Sequence, residues 1–191
     1  MFVGCSINAT PKTTGGPPMP SYGVCFDDAV NNTIICSKVH KAGNNGYGVY
    51  LSDSTGNIIC HNLIEENDNG VFLTSSSDNR IAMNIIQNNT ITGVTIIMMS
   101  SIGNSIHWNN FLFNGHELSP QAYDDVSGNF WNTSRNETLN YVSAGEGNYW
   151  SDYIGSDNDG DGIGDVPYLI PGIANAVDNY PVMIANDFKY S

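Results

Sequence analysis

One asparagine recurs through this chain at nearly constant steps, and that limits its fold more than any other feature. Asn32, Asn57, Asn79, Asn104 and Asn129 stand 25, 22, 25 and 25 residues apart. Two residues after each comes a large apolar one: Ile34, Ile59, Ile81, Ile106 and Trp131. Five residues on, Ser37, Asn62, Asn84 and Asn109 form a second polar column. Seven on, Val39, Ile64, Ile86 and Phe111 form a second apolar one. A fixed period in this range, with β-branched residues at fixed offsets, specifies stacked repeats rather than a globular core. The expected architecture is all-β: a right-handed parallel β-helix, one coil per repeat.

A glycine opens each repeat: Gly23, Gly48, Gly70, Gly93 and Gly115. A short alternating strand follows it, as in Val24-Cys25-Phe26 and Val49-Tyr50-Leu51, with first and third residues on one face. The glycine is expected to make a tight corner at positive φ. The ladder asparagines are expected to sit at corners, because Asn tolerates the left-handed region and bonds nearby backbone. Stacked amides can also bond one another along the axis. These columns are read as scaffold. Ser119-Pro120-Gln121-Ala122-Tyr123-Asp124-Asp125 departs from the pattern and is read as replacing the last strand. That divides the chain into coils over 1–128, with an irregular segment over 1–20, and a cap over 129–191, since an open β-helix end is a polymerising edge.

Charge narrows the partners. Six Lys and Arg face 19 Asp and Glu, a net charge of −13, so binding nucleic acid through its phosphates is excluded as a function class and cations are favoured. No stretch approaches the ~20 apolar residues of a membrane-spanning helix. The first twenty residues hold Lys12, three glycines and four prolines and no apolar core of a secretory signal, which suits a processed chain or a piece of a longer one. Cys5, Cys25, Cys36 and Cys60 lack metal-type spacing and leave buried thiols or one disulfide, such as Cys5 with Cys25, both open.

The sharpest motif is Asp157-Asn158-Asp159-Gly160-Asp161-Gly162-Ile163-Gly164-Asp165. Carboxylates at positions 1, 3 and 5, glycine at 6 and a carboxylate at 9 match a calcium loop. Asp157, Asp159, Asp161 and Asp165, with the Ile163 carbonyl, are the expected ligands of a structural Ca2+; the all-oxygen set favours that ion. Position 12 is Tyr168, so this is not a helix-loop-helix site. Sequons begin at Asn8, Asn31, Asn88, Asn132 and Asn136 and are candidates for N-glycosylation. No catalytic residue is assigned: Asp53 and Asp78 fall at turns, and no Ser/His/Asp or Cys/His set stands out. Nor does a copper-type Met/His/Cys cluster; His61 and His107 are expected two coils, roughly 10 Å, apart. Tyr50 and Phe72 share an outward column, which suits either sugar stacking or ordinary cross-strand pairing.

The Asn-x-Ile-x-x-Asn repeats, Gln121-Ala122-Tyr123-Asp124-Asp125, Gly128-Asn129-Phe130-Trp131-Asn132, Gly147-Asn148-Tyr149-Trp150-Ser151-Asp152-Tyr153, the Asp-Gly loop, Pro167-Tyr168 and Asp178-Asn179-Tyr180-Pro181 resemble the NosD-like right-handed parallel β-helix proteins. The C-terminal motifs look most like versions carried by archaeal cell-surface proteins. The resemblance implies a link to carbohydrate-binding proteins and sugar hydrolases, and a namesake that is a periplasmic protein for copper delivery to nitrous-oxide reductase. The expected function is a non-enzymatic extracellular or cell-surface module, structural or glycan-binding. Its cap is held by Ca2+, and its partners are glycans or like subunits in a surface layer or filament. The alternatives are a polysaccharide-processing enzyme and a NosD-like copper-handling protein.

Overall fold

The computed structural model describes residues 20–42, 45–115, 119–133 and 147–188, and the backbone of 2–3 and 6–8. Three parallel sheets run along one axis. The first stacks Phe2–Val3, Thr33–Ile35, Ile58–Cys60, Arg80–Ala82 and Ser105–His107. The second stacks Ser6–Asn8, Lys38–His40, Leu63–Glu65, Ile85–Gln87, Asn110–Leu112 and Tyr149–Trp150. The third stacks Tyr22–Asp27, Tyr47–Ser52, Asn69–Thr74, Thr92–Ile97 and Ala122–Asp124. The parallel β-helix expected from the repeat is therefore present. The register follows the sequence columns: Ile34 pairs Ile59, Ile59 pairs Ile81, and Ile81 pairs Ile106. All four are fully buried, as are Val39, Ile64, Ile86 and Phe111. One coil could not hide these side chains; stacking does.

Three asparagine ladders run inside the corners. In the first, each side-chain amide donates to the next Oδ1, from Asn57 to Asn79 and on to Asn104 and Asn129, each at 3.0 Å. The second runs Asn62, Asn84, Asn109 and continues to Asn148. The third, Asn67, Asn89 and Asn114, was not singled out in the sequence; it ends on the Gln121 side chain. Each ladder amide donates forward, toward the C-terminal end, to the next Oδ1 and back to a backbone carbonyl of the preceding coil, as Asn79 does to Ser54 O and Asn84 to Ile59 O. Bonded amides polarise one another, so that end presents donors needing acceptors. Asp124 accepts from Asn129, Asp178 accepts from Asn148, and Gln121 passes its N–H groups to Ser151 and Asp152. The repeated Gly-Asn-aromatic-Trp motif serves this end twice. Trp131 donates its indole N–H to Asp124 and Trp150 donates to Asp178, each at 2.9 Å. Trp150 then lies flat between Phe111 and Tyr168, with ring centroids 4.2 and 4.1 Å away, and closes the core.

Three sequence expectations are corrected. Gly23, Gly48, Gly70 and Gly93 are not positive-φ corners; they lie within or beside strands, where a Cβ would strike the carbonyl above. Close approach, not backbone handedness, demands glycine there. The ladder asparagines do not take the left-handed corner either. The residue before each does: Asn31, Gly56, Asp78, Gly103 and Gly128 all have positive φ. Finally, Ala122–Asp124 does not replace the usual strand; it is one, pairing with Val94–Ile96. Its acid ends inward because Asp124 caps a ladder.

Candidate functional site

Between the first and second sheets each coil turns through one residue at positive φ. Those residues are Cys36, His61, Met83 and Trp108, with φ of 51°, 54°, 57° and 58°. The sheet register stacks them in one column, because Ile35, Cys60, Ala82 and His107 pair in sequence just before them. A positive-φ corner turns the side chain away from the core, so the column faces outward. Cys36, Cys60, His61 and Met83 are all half-buried. Cys36 and Cys60 are one coil rise and one residue apart, about 6 Å between Cα atoms. Both carry free thiols, as does Cys25. Burial pushes the Cys60 thiol up, and the Arg80 charge opposes that. His107 is 3% exposed and shares a 2.8 Å hydrogen bond between Nδ1 and the Ser105 hydroxyl. Burial, helped by Arg80, lowers its pKa to about 4, so the imidazole is neutral at pH 7. His61 and His107 do lie two coils apart in different columns, as the spacing implied.

The column and Cys60 beside it offer soft donors: two thiols, a thioether and the His61 imidazole, the chemistry that selects copper(I) among first-row ions. The fit is one of donor type and register. Among the described residues, the only His, Cys, Asp or Glu trio with ligand atoms mutually within 4.8 Å is Asp157, Asp159 and Asp161. The sequence reading missed the column because its members are unlike one another. Adding the ladder steps of 25, 22 and 25 to Cys36 finds them.

The acidic loop is pre-bent. Asp157 Oδ1 accepts the Gly160 N–H at 2.8 Å, its Oδ2 accepts the Gly162 N–H at 3.0 Å, and Asp161 Oδ1 accepts the Ile163 N–H at 2.9 Å. Gly160 and Gly162 take φ of 73° and 87°. Asp165 stands apart from the trio: its Oδ2 accepts from Asn158 N and Nδ2. Ile163 is buried and bridges Val182, which ties the loop to the cap.

On the third sheet, Tyr22, Tyr47, Tyr50 and Phe72 form one ring cluster. Tyr50 and Phe72 stack at 5.8 Å and 14°, Tyr22 and Tyr47 at 5.7 Å and 16°. Their faces are turned on one another along the axis, the cross-strand pairing geometry. Of the sequons, Asn31 and Asn88 are exposed on positive-φ corners. The Asn132 side chain is occupied, accepting from Asn179 N and Nδ2. The Asn8 side chain, Asn136 and Cys5 lie outside the described residues. No helix among those residues is long and apolar enough to cross a membrane.

A family model described as periplasmic copper-binding protein (NosD) matches residues 19–155. A probable ABC transporter binding protein NosD of Pseudomonas aeruginosa is 36% identical over 87 residues, covering 40% of this chain and 20% of that protein. One of the same description from Stutzerimonas stutzeri is 33% identical over 87 residues, with the same shares covered. The matched stretch is about a fifth of the length of these relatives.

Proposed function

The chain belongs to the NosD family of parallel β-helix proteins, and from that premise we propose that it is an extracytoplasmic module that handles a soft metal cation, copper(I) foremost. The observation that carries this is the corner column of Cys36, His61 and Met83, with Cys60 beside it at the end of its strand, aligned by the repeat register. Thiolate and thioether sulfur would bind the ion, and neutral imidazole would complete its surroundings. Excess acid elsewhere on the surface, at a net charge of −13, draws cations toward the protein. The sheets and ladders hold the donors on rigid strands and corners, which limits rearrangement on loading.

The test is an anaerobic titration with Cu+ against a competing chelator. The expected result is one tightly bound ion, with affinity falling in Cys36→Ser/Cys60→Ser by more than the ~10–100-fold that loss of outer-shell partners costs. A double variant that binds copper as the parent does would remove this reading.

A Ca2+ held by Asp157, Asp159 and Asp161 is proposed as the clamp of the cap, separate from the soft site. Three carboxylates within 4.8 Å repel one another, and a divalent ion relieves that. EDTA is expected to lower the melting temperature and Ca2+ to restore it. An EDTA-insensitive midpoint, or one unchanged in Asp157→Ala/Asp161→Ala, would count against the clamp. A glycan-binding surface module is the second reading. It rests on the tyrosyl edges and hydroxyls of Tyr22, Tyr47 and Tyr50, and a glycan array comparing Tyr50→Ala with the parent decides it.

A further inference from the structure

We propose that the segment 184–188 is a strap that gates the corner column of donors. This deepens the soft-metal reading and rests on it for its purpose, but the cover itself is a separate claim. Two anchors hold the strap. Asn186 pairs with Asn110 at both ends: its N–H donates to Asn110 Oδ1 at 2.9 Å, and its carbonyl accepts from Asn110 Nδ2 at 2.8 Å. The Asn186 side-chain amide adds a third bond to the same Oδ1 at 3.3 Å. Asn110 itself is 2% exposed. Phe188 then sets its ring edge-on to His61, with centroids 6.1 Å apart and planes at 86°.

These anchors belong to different coils. Asn110 pairs with Ile85, and Ile85 pairs with Leu63, which follows His61 by two residues. The strap therefore runs back along the axis by two coil rises, about 9.6 Å. The three residues 186–188 span at most about 7 Å between Cα atoms, and the two side chains bridge the rest. The coil passed over on the way presents Met83 at its corner. So the strap lies beside Met83 and on His61, and both are half-buried.

Neither anchor is charged or covalent. Ile184, at the root of the strap, is 80% exposed. A segment held by so few contacts opens far more easily than the ladders beneath it. Opening frees the imidazole of His61 and the thioether of Met83 together, and widens access to Cys60 one residue away. A donor set that is covered at rest and uncovered by one local step suits transfer of an ion to and from a partner. Exposure of the donors is thereby coupled to a segment of the cap rather than to the coils.

The experiment compares the full chain with its Asn186→Ala/Phe188→Ala variant, without metal, under dilute hydrogen peroxide. Oxidation of each methionine is followed by mass spectrometry, and alkylation of Cys36 and Cys60 by a maleimide runs in parallel. Met98 and Met99, 57% and 94% exposed on another corner, are internal controls. Labelling follows the open population when opening is fast, so Met83 oxidation and Cys60 alkylation are expected to rise by on the order of tenfold. Met98 and Met99 should keep their rates. Unchanged Met83 and Cys60 rates overturn the strap. Equal acceleration at all methionines reports general loosening and overturns it too. Faster Met83 oxidation in a protein that binds no Cu+ upholds the cover and removes only the metal reading.

Discussion

Asn84→Ala is expected to lower the unfolding free energy by about 4 kcal/mol, enough to melt the molecule at moderate temperature. Asn84 is fully buried in the second ladder. Its Oδ1 accepts the Asn62 backbone N–H at 2.9 Å and the Asn62 amide at 3.0 Å. Its Nδ2 donates to Ile59 O, Ala82 O and Asn109 Oδ1, at 2.8, 3.0 and 2.9 Å. Alanine strands two donors and up to three acceptors in a dry corner, at ~1–3 kcal/mol for each group that water cannot reach. Leucine at the site would do worse, adding bulk to the same loss. Asn88→Ala is the control. Asn88 is exposed on a positive-φ corner, so its substitution should cost only the backbone strain of alanine there, about 1 kcal/mol. Urea melts of the two variants check the pair; an Asn84→Ala midpoint close to the parent's would show that the ladders do not bear on stability.

Asp178→Ala is the second large effect, with an expected loss of about 3 kcal/mol at pH 7 and a greater one at pH 5. The carboxylate is fully buried and accepts four N–H groups. Asn148 N, Asn148 Nδ2 and Trp150 Nε1 reach Oδ2 at 2.7, 3.2 and 2.9 Å, and Tyr180 N reaches Oδ1 at 3.1 Å. Removing it uncaps the second ladder and frees the indole that closes the core. The pH dependence follows from burial, which pushes the Asp178 carboxyl from 3.8 up to about 6 against the pull of those donors. A carboxyl raised in the fold contributes stability that is full below about 3.8 and fades as pH rises through about 6. The parent should therefore lose stability between pH 4 and 7 through this group. Asp178→Asn should lack that part of the profile. Melting temperature against pH for the two proteins is the measurement, and parallel curves would contradict the assignment.

The coils were legible because their signal repeats. A β-branched residue at the same offset from an asparagine, four times over, leaves little choice of fold or register. The ends of the ladders were less legible, since a cap occurs once. Asp124 looked like part of a foreign segment because its strand is short and its carboxyl, unusually, points inward. In the glycine column Gly115 takes the expected positive φ, but Gly23, Gly48, Gly70 and Gly93 do not: sequence spacing cannot separate a positive-φ corner from a close approach between coils. The acidic trio is readable from local spacing alone, and the same spacing names Asp165, whose Oδ2 accepts from Asn158 in the fold. The donor column was invisible to local motifs. Cys36, His61 and Met83 are 25 and 22 residues apart, share no chemical type, and meet only through the register.

A copper K-edge absorption spectrum of the Cu+-loaded protein tests most directly whether this register builds a soft-donor site. Sulfur scatterers are expected around copper in the parent, with that sulfur signal lost in Cys36→Ser/Cys60→Ser. A spectrum showing only nitrogen and oxygen neighbours, or one unchanged by the double substitution, would contradict it.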